Sequence, residues 1–167
     1  MSTSPSISFE VSELSAADSA WMAHVHAQSF DAPQRWSASA IKGLLDQPLT
    51  KAFGISINQA PVGFIIARNV AGEGEILTLA VLPDARRNGV ASQLLNTFIT
   101  QQMPQNIFLE VMVTNQAAID FYLSHGFEIV SKRIGYYQMP IGHAQKAIDG
   151  FVMNKKLPTS QHIHKSP

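Results

Sequence analysis

Leu79-Ala-Val-Leu-Pro-Asp-Ala-Arg86-Arg87-Asn88-Gly89-Val90-Ala91-Ser92 is the stretch that decides the fold. It opens in a run, Ile76 to Leu82, that is apolar on both faces, as a central strand is. It then crosses the polar segment Pro83–Gly89 and enters a helical pattern with Val90, Leu94, Leu95, Phe98 and Ile99 on one face. The start of a helix carries unpaired backbone N–H groups and a partial positive charge, and both suit an anion such as phosphate. Gly89 lets the backbone approach that anion closely. Ala91 keeps the first turn narrow, and Arg86 and Arg87 add charge at the mouth. The same residues also describe a surface loop with two solvated arginines. The place between a buried strand and an amphipathic helix favours the anion site.

Strand-like and helix-like segments alternate on either side. Upstream, Ile7, Phe9 and Val11 alternate with polar residues. Ser15 is a helix cap with Asp18 three residues on, followed by Trp21, Met22, Val25 and Ser29 on one face. Ser37 caps a second short helix carrying Ile41, Leu44 and Leu45, which ends at Gln47-Pro48. Phe53, Ile55 and Ile57, a turn at Asn58–Pro61, and the apolar run Val62–Ala67 predict a hairpin. Gly72 and Gly74 mark the next turn. Downstream, the helix stops near Met103-Pro104, and Ile107–Val113 is another apolar strand. Asn115–His125 is a helix with Gly126 at its left-handed end. Phe127–Val130 and Phe151–Met153 are closing strands, joined through Tyr136-Tyr137 and a glycine-containing loop. The predicted fold is α/β: a mixed sheet of about seven strands, antiparallel early, with strand–helix–strand crossovers later and about four flanking helices.

At 167 residues the chain predicts one domain, residues 6–157. Residues 1–5 read as a disordered N-terminus and 158–167 as a flexible tail, rich in Ser, Pro and His. Twelve basic and twelve acidic side chains leave no net charge, so no strong electrostatic footprint for nucleic acid or an anionic membrane is expected. There is no cysteine, which excludes disulfides, thiolate nucleophiles and zinc–cysteine sites. No apolar run reaches the length of a membrane span, and Met1-Ser-Thr-Ser-Pro-Ser lacks the blocks of a signal peptide. A cytoplasmic protein is expected. No metal site is expected either. His24 and His26 lie two apart on a helix and point to different faces. His162 and His164 lie in the loose tail, and His125 is a helix-end cation.

Arg86-Arg87-Asn88-Gly89-Val90-Ala91 matches the Gln/Arg-x-x-Gly-x-Gly/Ala signature. Glu75–Val81 precedes it, Leu109-Glu110-Val111 follows, and Asn115-Gln-Ala-Ala-Ile-Asp-Phe-Tyr122-Leu-Ser-His-Gly126-Phe127 lies beyond. Together these resemble the GCN5-related N-acetyltransferases, and within them the RimI-type branch that acetylates protein N-termini. The match covers residues 73–130, and elsewhere only the order of elements agrees. The resemblance implies an acetyl-coenzyme A site between two parallel strands that splay apart. Backbone groups of Leu79, Ala80 and Val81 would bond the pantetheine arm. Arg86, Arg87, Asn88, Gly89, Val90, Ala91 and Ser92 would surround the pyrophosphate, and Asn115 would touch the cosubstrate. As side chains, Leu79 and Val81 are also ordinary core residues.

N-acetylation needs a group to take a proton from the arriving ammonium and another to protonate the departing thiolate. Glu110 shares a strand face with Phe108 and Met112, where a carboxylate is costly unless paired or wet. An edge position facing solvent is the other reading of the residue, and the resemblance assigns it as proton acceptor. Tyr122, seven residues after Asn115, reads by itself as a core aromatic; the resemblance assigns it as the thiolate's proton donor. A phenol, with an ordinary pKa of about 10, suits that task. Trp36, after Pro33-Gln-Arg35, reads by itself as a core anchor, and the resemblance makes it part of the peptide-side wall; Tyr136 and Tyr137 read as strand aromatics and resemble the family tyrosines that close over the acceptor. Met112 stands where this branch often has Arg, and Lys132-Arg133-Ile134-Gly135 replaces the usual lead-in to Tyr-Tyr. Both departures leave acetyl transfer intact and the acceptor open. Three functions remain: an acetyltransferase for a protein N-terminus, typically of a ribosomal protein; one for a small amine; or a silent acyl-coenzyme A-binding module. Glu110 and Tyr122 speak against the last, since a pure binder needs neither. Oligomeric state is not legible.

Overall fold

Ser15 caps the short turn that leads into the first α-helix, and Ser37 caps the second α-helix, as their sequence contexts require. Ser15 accepts the Ala17 N–H at 3.3 Å while Asp18 accepts the Ser15 N–H at 2.8 Å, a reciprocal cap. Ser37 accepts the Ala40 N–H at 3.1 Å. The computed structural model describes residues 8–141 and 144–158. Of the expected loose ends, 1–5 and 158–167, all but Pro158 lie outside the described residues, as does Ile7. Described residues fall into two compact units. The first holds those up to Val70 together with Glu75–Met103, and the second Ala71–Gly74 and those from Pro104 onward.

In the first unit the elements are β1 (Phe9–Leu14), α1 (Ser19–Ser29), α2 (Ala38–Leu45), β2 (Thr50–Ile57), β3 (Ala60–Val70), β4 (Glu73–Val81) and α3 (Val90–Gln102). The strands lie in the order β1-β2-β3-β4, with β1/β2 and β2/β3 antiparallel. Met22, Val25, Ile41, Ala52, Phe64, Ile66 and Ala80 form a core under α1 and α2. On the other face α3 packs on β2 and β3 and buries Val90, Leu94, Leu95 and Phe98. Because helices cover both faces, Val62 to Ala67 are all buried, which is why β3 reads as an unbroken apolar run. Val62, Phe64, Ile65 and Ile66 each contribute about 1.5–3 kcal/mol by leaving water. β1 differs: Phe9 and Val11 keep 41% and 38% of their surface. The strand pairs with β2, but its faces carry little cover.

The turn expected over Asn58–Pro61 tightens to Asn58-Gln59. Both are left-handed, with φ of 49° and 67°, and β3 already starts at Ala60. Likewise β4 starts at Glu73, so Gly74 lies inside the strand and the turn is made by Ala71 and Gly72.

The second unit contains β5 (Asn106–Met112), α4 (Gln116–Ser124), β6 (Glu128–Ile141) and β7 (Ala144–Lys156), with strand order β5-β7-β6, both pairs antiparallel. Ile107, Leu109, Val111, Ile119, Tyr122, Phe127 and Met153 are buried there. Gly126 ends α4 with φ +80°. The closing strands are far longer than the three or four apolar residues that announce them. Tyr136 and Tyr137 lie within β6 rather than in a connecting loop. From Ser131 to Gln138 no residue of β6 is fully buried, so no apolar run announces this part of the strand.

Candidate active site

In the first unit, β4 ends at Val81 in a knot of hydrogen bonds. The Val81 carbonyl accepts from Ser29 Oγ at 3.1 Å and from Arg86 Nε at 3.2 Å. Arg86 Nη2 also donates to the Ser29 carbonyl at 3.3 Å, and the Leu82 N–H donates to the Val62 carbonyl at 2.8 Å. The Arg86 side chain therefore ties the loop to the end of α1, whereas the sequence reading had it adding charge at the mouth. Arg87 and Asn88 remain exposed.

The chain then makes two left-handed residues, Arg87 (φ +64°) and Gly89 (φ +76°), and enters α3. A non-glycine residue held there costs on the order of 1 kcal/mol, and such strain collects at ligand clamps. No side chain caps α3. Its first helical bond runs from the Gln93 N–H to the Gly89 carbonyl, so the N–H groups of Val90 and Ala91 precede the ladder. Nothing lies within 4 Å of where a Gly89 Cβ would stand. Within the chain, glycine is needed for its backbone angle, not for room. The donors, the helix start and the arginine make a set that fits a diphosphate.

In the second unit Glu110 lies on the less covered face of β5, 26% of its side chain exposed, and pairs with Arg133 of β6 (Nη1 to Oε1, 3.0 Å). Arg133 also lies over the Tyr136 ring, 5.1 Å from its centroid. Tyr136 and Tyr137 meet edge to face at 5.0 Å. Burial pushes the Tyr137 phenol up to about 12, with the charge of Glu110 adding to the shift, Tyr136 adding further and Arg133 opposing it. Glu110 and both tyrosines are thus one cluster, and the costly carboxylate is paired.

Asn115 spends its carboxamide oxygen on the Ala118 N–H, 3.2 Å, as the cap of α4. Tyr122 is a core residue, 7% exposed, edge to face with Phe121 and Phe127. Burial raises its phenol above the ordinary range, so it stays protonated.

Trp36 belongs to the first unit. It stacks on His26 at 5.0 Å and packs against the α1–α2 core.

Residues 14–127 match the acetyltransferase (GNAT) family. The chain belongs to that family. Among relatives, N-alpha-acetyltransferase 50 of Danio rerio is 37% identical over 67 residues, 38% of this chain and 40% of that protein. The [Ribosomal protein bS18]-alanine N-acetyltransferase of Salmonella typhimurium is 29% identical over 143 residues, 83% of this chain and 93% of that one. The crystal structure of the ribosomal-protein-S18-alanine N-acetyltransferase from Escherichia coli superposes with a TM-score of 0.80 at 24% identity, covering 93% of this chain and 98% of that one. The family and fold expected from the sequence are borne out, and with them the enzyme class, an acetyltransferase. The match to the Danio rerio protein spans two fifths of its length.

Three residues of this family member have contacts that the sequence did not announce. His26 is buried, stacked between Phe30 (4.3 Å) and Trp36, and accepts the Trp36 N–H on Nδ1 at 3.2 Å. That bond needs a neutral ring with its proton on Nε2, and burial holds the group down to about 4. Its place one residue after Val25 on the apolar face was the available signal. Arg133 and Asp149 had none, because their partners are fixed only by the pairing of β5, β6 and β7. Among the described residues no cluster of three metal-ligating side chains occurs, and no helix is long and apolar enough to cross a membrane.

Proposed function

We propose that this chain moves an acetyl group from acetyl-coenzyme A to a primary amine, with the N-terminal α-amine of a protein, ribosomal proteins included, as its acceptor. The observation that carries the reading is the uncapped start of α3 behind left-handed Arg87 and Gly89, a diphosphate-shaped set of donors. Leu79, Ala80, Val81, Arg87, Asn88, Gly89, Val90, Ala91, Ser92 and Asn115 hold the cosubstrate in this reading, and Arg86 braces the loop. Trp36, Tyr136 and Tyr137 contact the acceptor.

Bound acetyl-coenzyme A supplies a thioester carbonyl, at which an N–C bond forms and the C–S bond breaks. Glu110 takes the proton that the acceptor ammonium must lose before attack, directly or through a water. Tyr122, kept protonated by burial, returns a proton to the departing sulfur. The names of the relatives, an N-alpha-acetyltransferase and a ribosomal-protein alanine N-acetyltransferase, support the peptide acceptor. The reading includes a cytoplasmic location, where newly made N-termini and acetyl-coenzyme A meet.

The test is thiol release from acetyl-coenzyme A against a panel of Ala-starting peptides and a panel of small amines, with calorimetry of acetyl-coenzyme A binding alongside. Turnover on the peptides is expected. Turnover confined to the amines transfers the function to small-molecule acetylation, and binding without turnover on either panel makes the chain a silent acyl-coenzyme A module. No binding heat from folded protein overturns all three.

A further inference from the structure

Within the second unit, β6 departs from regular pairing twice, between Ile129 and Ser131 and, more widely, between Arg133 and Tyr137. Arg133 opposes Gly150 and Tyr137 opposes Ile148, so Ile134, Gly135 and Tyr136 face Asp149 alone. Two surplus residues loosen a ladder and need other partners for their backbone. Asp149 provides them. Its Oδ1 accepts the N–H of Gly135, which is left-handed (φ +61°), at 2.8 Å. Its Oδ2 pairs with Lys132 Nζ at 2.9 Å. Its own carbonyl accepts the Val113 N–H at 3.0 Å, fixing the residue to the end of β5. The Gly135 N–H and then Lys132 hold the Asp149 carboxyl below the usual carboxylate range.

The clamp grips β6 on both sides of Arg133. That side chain starts on β6 and must cross β7 to reach Glu110 on β5. It starts opposite Gly150, which has no side chain to obstruct it. A Cβ at Gly150 would lie 3.0 Å from Tyr137 Cε2 and 3.6 Å from Tyr136 Cδ1, so both rings use the same clearing. A slip of β6 by one residue would turn Arg133 to the opposite face.

We propose that Asp149 is a positioning residue: it pins the β6 bulge so that Arg133 reaches across Gly150 and orients the Glu110 carboxylate. The inference rests on the proton-accepting role proposed for Glu110 and extends it. With Oε1 held by Arg133, Glu110 has its second oxygen to offer an incoming ammonium.

The experiment compares Asp149→Ala, Asp149→Asn, Arg133→Met and Arg133→Lys in the full chain, using the best acceptor from the peptide panel. Asp149→Ala is expected to lower kcat about tenfold or more, with KM for acetyl-coenzyme A unchanged within about twofold. Asp149→Asn, which keeps an acceptor for Gly135, falls between. Arg133→Met matches Asp149→Ala, Arg133→Lys recovers much of the loss, and the double variant is no slower than Arg133→Met. Wild-type kcat in Asp149→Ala, or losses that multiply in the double variant, overturns the proposal. If the wild type turns over no amine, the acetyl-transfer reading fails by itself. The clamp is then read from hydrogen exchange of the Gly135 amide, where loss of protection in Asp149→Ala supports it and unchanged protection overturns it. Should Asp149→Ala not fold, Asp149→Asn and the Arg133 pair decide on the same readouts.

Discussion

The two hairpins of this protein, β2–β3 and β6–β7, have the same connectivity and are held by different forces. β2–β3 lies between α1 and α2 on one face and α3 on the other, and it turns through two left-handed residues. β6–β7 is longer, largely exposed outside its inner end, and carries a bulge fastened by Lys132, Asp149 and Gly135. Burial specifies the first pairing, and charge and backbone hydrogen bonds specify the second. The first is stability with no chemistry of its own. The second presents Glu110, Arg133 and two tyrosines in one cluster.

Core loss is the harshest way to break that contrast. Phe64 on β3 is fully buried and touches Trp21 and His26. Phe64→Ala is expected to cost about 3–5 kcal/mol, read as a lower urea midpoint. Ile134→Ser on β6, at a residue 78% exposed, should stay within about 0.5 kcal/mol. Equal losses at the two sites would erase the distinction.

Chemistry should break the other way. Glu110→Gln is nearly isosteric, and it is expected to lower kcat by about a hundredfold, or ~2.7 kcal/mol of barrier, with little change in acetyl-coenzyme A affinity. Stability should barely move. Turnover at the wild-type level, with an unaltered pH–rate profile, would remove Glu110 from the mechanism and leave the hairpin cluster without its proposed task.

His26 tests the buried side through pH. Its folded pKa of about 4 lies below the unfolded value of 6.5, so between these the unfolded chain binds the extra proton. The stability tied to the neutral ring is complete above the unfolded value and is lost as pH falls towards the folded one. Between about pH 7 and pH 5 the loss should be near 2 kcal/mol. Asp18 and Asp149, both held below the ordinary carboxylate range, lose their own contributions at lower pH still. Urea midpoints at the two pH values, in wild type and His26→Asn, separate these terms. An equal drop in both proteins would discharge His26.

What the sequence made legible follows the same line. Val62–Ala67 was readable because burial on both faces leaves a continuous apolar run, Ile76–Leu82 because one face is buried and the other half-buried, and Ser15, Ser37 and Gly126 because caps are local chemistry. The phosphate loop was readable because a strand, two arginines, a glycine and a helix fall in one short stretch. The outer half of β6 was not, since Ser131 to Gln138 are ordered by pairing with β7 rather than by burial. The Glu110–Arg133 pair was hidden for a related reason: its members lie 23 positions apart in sequence and meet across an intervening strand. Arg86 was visible, but its direction was not, because its acceptors, Val81 and Ser29, are carbonyls whose position only the fold defines.

The gentlest test compares the left-handed residues that bend the two hairpins. In the β2–β3 turn, Gln59 sits at φ +67°, where an L side chain costs about 1–2 kcal/mol, and glycine would remove that strain. Glycine also enlarges the entropy of the unfolded chain, which returns about 0.5–1 kcal/mol of the gain. Gln59→Gly is therefore expected to stabilise by about 0.5 kcal/mol, since Asn-Gly is the favoured pair for this turn. In the β6 bulge the signs reverse. Gly135 already sits at φ +61°, and Gly135→Ala places a methyl 3.4 Å from Ala147 Cβ, an ordinary contact, so the cost is almost purely the backbone angle. A loss of about 1 kcal/mol in melting or urea curves is expected there. A gain at both positions would mean that the β6 bulge relaxes away from its left-handed residue, and with it the clamp that places Arg133.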